Sequence, residues 1–249
     1  MIRISLGGVG SGKTATEVRE MFLDMTGKVT YTNISIKAKY KNIRKLTPDL
    51  IIKKQLSKQI KRKDGSFQNV YDYNINIDHW KSLKEPVNIV IDEFHNIANA
   101  RASMSKKNRV FNTWLTMIRR VLGSSDALGG NLILISQLSN QVDLIARSLC
   151  HQVRYHVCHY QKQCAMCSYS WHENSEMPES IVQCPKCKSY SLRKFNHKIE
   201  IWHFSRMDKF MQWRDFGQKT YYRHYIVWDI EKFFNKYDTL QWDNLFEDY

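Results

Sequence analysis

The apolar positions of this chain fall into two alternating rhythms. Short apolar or alternating runs occur at 2–6 ("IRISL"), 28–36 ("KVTYTNISI"), 87–94 ("VNIVIDEF"), 131–137 ("NLILISQ") and 151–160 ("HQVRYHVCHY"). Between them, residues 13–25, 108–122 and 140–149 repeat their apolar residues every three to four positions, the period of an amphipathic helix. Strands alternating with helices predict an α/β fold with a mostly parallel sheet and helices on both faces. Residues 37–64 read as largely helical, ending at the turn signal "KDG" (63–65), and 66–77 as an edge strand or hairpin. Near the C-terminus "TYYRHYIVWDI" (220–230) alternates like a strand. Its interleaved aromatics and bases would stack on single-stranded nucleic acid, but a packed sheet edge is the preferred reading.

The turn after the first run is "GGVGSGKT", which satisfies G-x-x-x-x-G-K-[ST] with Gly7, Gly12, Lys13 and Thr14. The spacing has a physical purpose. Glycines let successive backbone N–H groups turn inward around phosphate oxygens, and the following helix aims its positive end at the same anion. Gly7, Gly8, Val9, Gly10, Ser11, Gly12, Lys13, Thr14 and Ala15 are therefore the candidate nucleotide cradle. Lys13 is expected to reach the β- and γ-phosphates of ATP, and the Thr14 hydroxyl to ligate Mg²⁺.

Two further strand ends carry polar residues where the chain leaves the core. "NIVIDEF" delivers Asp92, suited to the Mg²⁺ shell, and Glu93, suited to polarise an attacking water as general base. The adjacent acids argue against a GTPase, which has D-x-x-G at this point, and against small-molecule P-loop kinases. "NKYD" (235–238) matches the guanine-reading N-K-x-D pattern, but no buried strand feeds it, and it reads as coincidental. "LILIS" ends in Gln137. In a RecA-like (ASCE) sheet an extra strand lies between the P-loop strand and the carboxylate strand, so Gln137 is a candidate sensor of the γ-phosphate. The plainer alternative is a glutamine that caps the next helix.

A net charge of +14 over 249 residues changes the list of partners. Much of it lies in 37–63, where Asp49 is the only acid, and such a surface attracts polyanions. No stretch approaches the roughly 20 apolar residues of a membrane span, and the first residues lack the apolar core of a secretory signal. The expectation is a soluble protein of the cytosol, or one carried in a virion.

A second chemistry sits in 164–187. Cys164-x₂-Cys167 and Cys184-x₂-Cys187 are separated by sixteen residues, the spacing of a four-thiolate Zn²⁺ site with no open position for catalysis. Both flanks read as strands, so the expected organisation is a P-loop domain over 1–160 and 190–249 with an inserted zinc ribbon at 161–189, projecting from a β-hairpin. The ribbon would touch DNA through its neighbouring lysines, dock a protein partner such as a capsid or portal element, or be purely structural. Cys150 and Cys158 are expected in the core.

Taken together, "SLGGVGSGKT", "VTYTNISI", "NIVIDEFHNI", "LILISQLSNQVDLIARS" and a late "YDT" resemble the FtsK–HerA superfamily of DNA-pumping ATPases. Within it they are most similar to the Zot-like (zonula occludens toxin-like) proteins and the viral genome-packaging ATPases. The series Ser136–Gln137, Val142–Asp143 and Arg147 carries the finer resemblance. It covers roughly 1–160 and resumes near 197–240. The resemblance implies a ring, usually hexameric, with ATP between subunits and an arginine supplied by the neighbour. Arg101, Arg119, Arg120 and Arg147 are the candidates. It implies an ATPase that translocates or packages double-stranded DNA. The alternatives are a Zot-like morphogenesis or secretion ATPase acting on protein or membrane partners, and a nucleotide-gated binding module whose zinc finger recruits a partner.

Overall fold

A computed structural model describes residues 1–37, 39–83, 85–94, 106–117, 122, 129–137, 139–140, 142, 144–177 and 181–242. Six strands run parallel: β1 (Ile2–Leu6), β2 (Thr30–Thr32), β4 (Ile43–Lys45), β7 (Asn88–Ile91), β8 (Leu132–Ile135) and the first part of β9 (Gln152–Cys164). Two long strands extend the sheet antiparallel, β11 (Leu192–Phe204) along β9 and β12 (Arg223–Val227) along β11. The order is β12-β11-β9-β1-β8-β7-β2-β4, with β10 (Ser170–Asn174) added antiparallel to the far end of β9.

Unbroken burial of the central strands follows from helices on both faces. On one face Ile4, Leu6, Ile89, Ile91, Leu132 and Leu134 pack with Phe111, Trp114 and Leu115, the last three from a helix at Lys106–Thr116 (α4). On the other, Val90, Ile133, Ile135, Ile199 and Ile201 pack with Ala15 and Val18 of α1 (Lys13–Leu23). Each fully buried aliphatic side chain contributes about 1.5–3 kcal/mol relative to exposure.

Part of the seat of α1 is ionic. Glu17, fully buried, accepts from Arg3 on β1 and from the Ser5 hydroxyl at 2.6 Å. Arg3 also meets Glu20 at 2.9 Å, and Arg154 of β9 pairs with Glu20 and approaches Glu17 at 3.9 Å. The P-loop helix is thereby tied to the two strands beneath it by charges as well as by apolar contact.

Two expectations are corrected. Residues 37–64 are not largely helical. After β4 and one helical turn, α2 (Pro48–Ile51), the chain forms β5 (Ile52–Lys61) and β6 (Phe67–Ile75), an antiparallel hairpin. Lysine, glutamine and leucine favour helices in isolation, but Ile52, Tyr73 and Ile75 anchor the ribbon to the core and the turn pins its register. Gly65, at φ 83°, occupies the left-handed position of a three-residue hairpin loop, with its N–H donating to Arg62 O at 3.0 Å. Residues 28–36 are also not one strand. They break at Asn33 into β2 and β3 (Ile34–Ile36), and β3 leaves the main sheet to pair with β13 (Tyr237–Trp242). Residues 223–227 do form an edge strand of the main sheet, with only Val227 buried.

Candidate functional site

Strand register brings three polar tips to one level. Ile4, Leu134 and Ile91 are aligned across β1, β8 and β7, so the P-loop, Ser136–Gln137 and Asp92–Glu93 emerge side by side. Gly7 (φ 150°) and Gly12 (φ 83°) both lie in the left-handed half of backbone space. A Cβ on Gly7 would meet the His156 carbonyl oxygen at 2.5 Å, and one on Gly12 would meet Ile199 Cδ1 at 2.1 Å. These glycines are required by close approach as well as by conformation.

Lys13 is buried, and its ammonium donates to Gly7 O and Gly8 O at 2.8 Å and to Ser11 Oγ at 3.3 Å. Burial lowers its pKa, against the pull of Asp92 and Glu93. Thr14 Oγ1 donates to Asp92 Oδ2 at 2.8 Å, so the two expected Mg²⁺ residues are in contact. Burial pushes Asp92 up to about 6, resisted by the Thr14 hydroxyl and the Glu93 N–H. A hard divalent cation fits this pair, because it would supply the charge that the buried carboxylate lacks. Glu93 sits at φ 50°, a left-handed position rare for a glutamate, and Gln137 Nε2 donates to its Oε1 at 3.4 Å. Val9 to Ala15, Glu93 and Gln137 line one cavity of about 500 Å³. Lys13, Glu93 and Gln137 thus converge on a single space, large enough for a nucleotide.

Two features escaped the sequence reading. Asn33 donates to Asp92 O at 3.0 Å and accepts from Asp92 N at 2.8 Å, clamping the carboxylate tip. Its only signal was an amide inside an otherwise strand-forming run. The same cavity is also lined by Tyr160, Lys194, His197, Phe234 and Tyr237, which come from widely separated segments.

Residues 1–176 match the family described as Zonular occludens toxin (Zot). The chain belongs to the Zot family. Among solved structures it is similar to the N-terminal domain of zonular occludens toxin from Neisseria meningitidis, at 17% identity over 95% of this chain and 98% of that one, TM-score 0.48. It is also similar to the genome packaging NTPase B204 from Sulfolobus turreted icosahedral virus 2 in complex with ATP-gammaS, at 14% identity over 62% and 74%, TM-score 0.37. None of the curated proteins matches the sequence.

In this Zot-family chain the arginine candidates stay apart from the cavity lining or lie beyond description. Arg147 is half-buried on a short helix, Leu144–Ser148 (α5), and does not line the cavity. Arg101, Arg119 and Arg120 lie outside the described residues, as does Asp143. Among the described residues no helix is long and apolar enough to cross a membrane.

The four cysteines Cys164, Cys167, Cys184 and Cys187 form one cluster, with all sulfurs within 4.8 Å of one another. The sulfurs of Cys164 and Cys187 lie 3.5 Å apart, as do those of Cys167 and Cys184. These separations are too long for disulfides and near the ~3.8 Å edge of a tetrahedron with Zn–S bonds of about 2.3 Å. The two C-x₂-C turns are copies. In each, the residue after the second cysteine is left-handed, Ser168 at φ 58° and Lys188 at φ 62°. Each of those residues donates its N–H to the carbonyl of the first cysteine at 2.9 Å. Backbone N–H groups, that of Cys167 first, bring the Cys164 thiol down to about 6, toward the thiolate a metal requires. The donor set fits a structural Zn²⁺. Cys150 and Cys158 are buried and separate from the cluster, and burial pushes their thiols up to about 12 and about 11.

Proposed function

We propose that this Zot-family chain is an ATP-hydrolysing motor that moves double-stranded DNA, in the manner of a genome-packaging translocase. The observation that carries the ATPase reading is the convergence of Lys13, Thr14, Glu93 and Gln137 on one cavity, with Asp92 hydrogen-bonded to Thr14. The P-loop amides and Lys13 hold the β- and γ-phosphates, while Thr14 and Asp92 hold Mg²⁺. When bound, the ion neutralises charge developing on the transferring phosphoryl group. Glu93 takes a proton from the attacking water. Gln137 exchanges its contact with Glu93 for one with the γ-phosphate, so its position differs before and after cleavage. ATP hydrolysis would be completed by an arginine from a neighbouring subunit in a ring.

DNA as cargo is supported by the β5–β6 ribbon. Residues 54–69 are exposed on both faces. Residues 52–75 carry Lys53, Lys54, Lys58, Lys61, Arg62 and Lys63 against Asp64 and Asp72. A two-stranded ribbon of this kind fits a DNA major groove and neutralises phosphates. The four cysteines hold a structural Zn²⁺ that keeps the ribbon at 164–191 folded. The site of action is the cytosol or a virion.

Glu93→Gln should retain ATP binding and lose turnover by at least about a hundredfold, the usual size of a lost general base. Duplex DNA should stimulate the wild-type ATPase. Unchanged turnover in the variant would remove Glu93 from its role. Hydrolysis indifferent to duplex DNA at all lengths and salts would favour the second reading, a Zot-like morphogenesis or secretion ATPase working on protein or membrane partners.

A further inference from the structure

The cavity that the P-loop lines is lined also by aromatic side chains from other segments. Tyr160 comes from β9, His197 from β11, and Phe234 follows a 3-10 turn at Ile230–Phe233. The ring centroids of Tyr160 and His197 are 5.8 Å apart, and those of His197 and Phe234 are 5.2 Å apart. The Lys194 ammonium stands 4.4 Å from the Tyr160 ring centroid. His197 is brought here by an irregularity. The β9–β11 register shifts between Phe195 and Lys198, and Asn196 adopts φ 55°. Bulges of this kind re-aim a side chain and are frequent beside active sites. Glu231 then fixes the re-aimed ring, accepting from His197 N at 2.8 Å and lying 2.7 Å from Nδ1.

We infer that Tyr160, His197, Phe234 and Lys194 form the base-binding end of the nucleotide cavity, a stacking wall for a purine. This rests on the nucleotide reading of the P-loop given above. The chemistry is that of a cluster of aromatic rings with one cation, the Lys194 ammonium, over the Tyr160 ring. Flat π-faces attract a nucleobase by dispersion and stacking, and the ammonium offers a donor to purine ring nitrogens. Stacking reads ring area more than edge pattern, so adenine and guanine nucleotides should be held within about tenfold of each other. Of the N-K-x-D stretch, only Tyr237 lines the cavity, and neither Asn235 nor Asp238 does. The guanine code that the stretch mimics is therefore not built here.

The test is equilibrium binding of ATP, GTP and inorganic tripolyphosphate, each with Mg²⁺, to the full chain. Wild type should bind ATP and GTP at least about tenfold more tightly than tripolyphosphate. The His197 and Phe234 planes stand at 80°, so the base stacks face-on against only one of them: His197→Ala should weaken ATP roughly tenfold, the size of one lost base–ring stack, Phe234→Ala should weaken it less, and both should leave tripolyphosphate unchanged. Lys194 is exposed, so Lys194→Ala serves as the variant least prone to unfold, and it should weaken ATP selectively to a smaller degree. Equal wild-type affinity for ATP and tripolyphosphate would overturn the base wall and leave the phosphate cradle standing. So would equal loss of both ligands in folded variants. Binding of neither ligand by wild type would instead overturn the nucleotide reading itself.

Discussion

Asp92 shows how the surroundings of one side chain set its affinity for a proton. Its carboxyl is half-buried at the end of β7, held by the Thr14 hydroxyl, and its main chain is clamped by Asn33. Burial drives its pKa from 3.8 up to about 6. An acid whose folded pKa is raised binds its proton more tightly when folded. The metal-free protein should therefore lose stability as pH rises from about 4 to about 6. Mg²⁺ reverses the preference, because below pH 6 it must displace that proton. Apparent Mg·ATP affinity should fall roughly tenfold per pH unit below 6 and level off above it. Titrations between pH 5 and 7.5 would check this, and a flat profile would contradict it. The identities of Lys13, Asp92 and Glu93 were legible in the sequence because each ends or follows an apolar run. Asn33 was not, because its partner Asp92 is distant in the chain and only the β2–β7 pairing joins them.

Among the elements, α1 and the β5–β6 ribbon carry separate loads. Helix α1 presents the P-loop, and its buried Glu17 answers Arg3 and approaches Arg154. Glu17→Ala would leave a buried guanidinium without its main counter-charge, so urea unfolding should show a loss of about 3–5 kcal/mol. A change under about 1 kcal/mol would mean that water reaches the pair. The ribbon does the opposite and keeps its charges in solvent. Replacing Lys58, Lys61 and Arg62 with alanine should reduce duplex affinity and flatten the log-affinity against log-salt slope by up to about 0.9 per charge removed. Fold stability should hardly move, because these residues are exposed. An unchanged slope would place DNA elsewhere or remove it. The second strand of the ribbon agrees with the expected edge strand or hairpin at 66–77, whereas its first strand reads as helix in the sequence because lysine, glutamine and leucine propensities point one way and tertiary anchoring the other.

At the scale of the molecule, β9 and β11 connect two chemistries. Along them, Tyr160 and His197 line the cavity, and Cys164 ends β9 in the four-cysteine cluster. Between lies buried Glu173, which accepts from Tyr160 Oη at 3.2 Å and Trp171 Nε1 at 2.7 Å, and pairs with Lys162 at 2.9 Å. The cysteine ribbon is thus a continuation of the sheet with its own small polar core. Purified protein should contain one Zn²⁺ per chain by metal analysis. Chelation, or Cys184→Ser, should expose 164–191 to protease while the main sheet still melts cooperatively. A chain that is metal-free as purified yet protease-resistant over this segment would refute the zinc assignment.

By itself the sequence determined the α/β alternation, the glycine-rich P-loop motif, the acidic pair and the four-cysteine spacing. All of these are written locally, in periodicity or in residues a few positions apart. The tertiary structure decided what depends on pairing between distant segments. It set β8 between β1 and β7, which carries Gln137 to Glu93. It drew 37–64 out as strands, and it folded a bulge of β11 and the turn before β13 against the P-loop to finish the cavity wall. Local propensity cannot encode these arrangements, because each is stabilised by contacts that exist only once the sheet has formed.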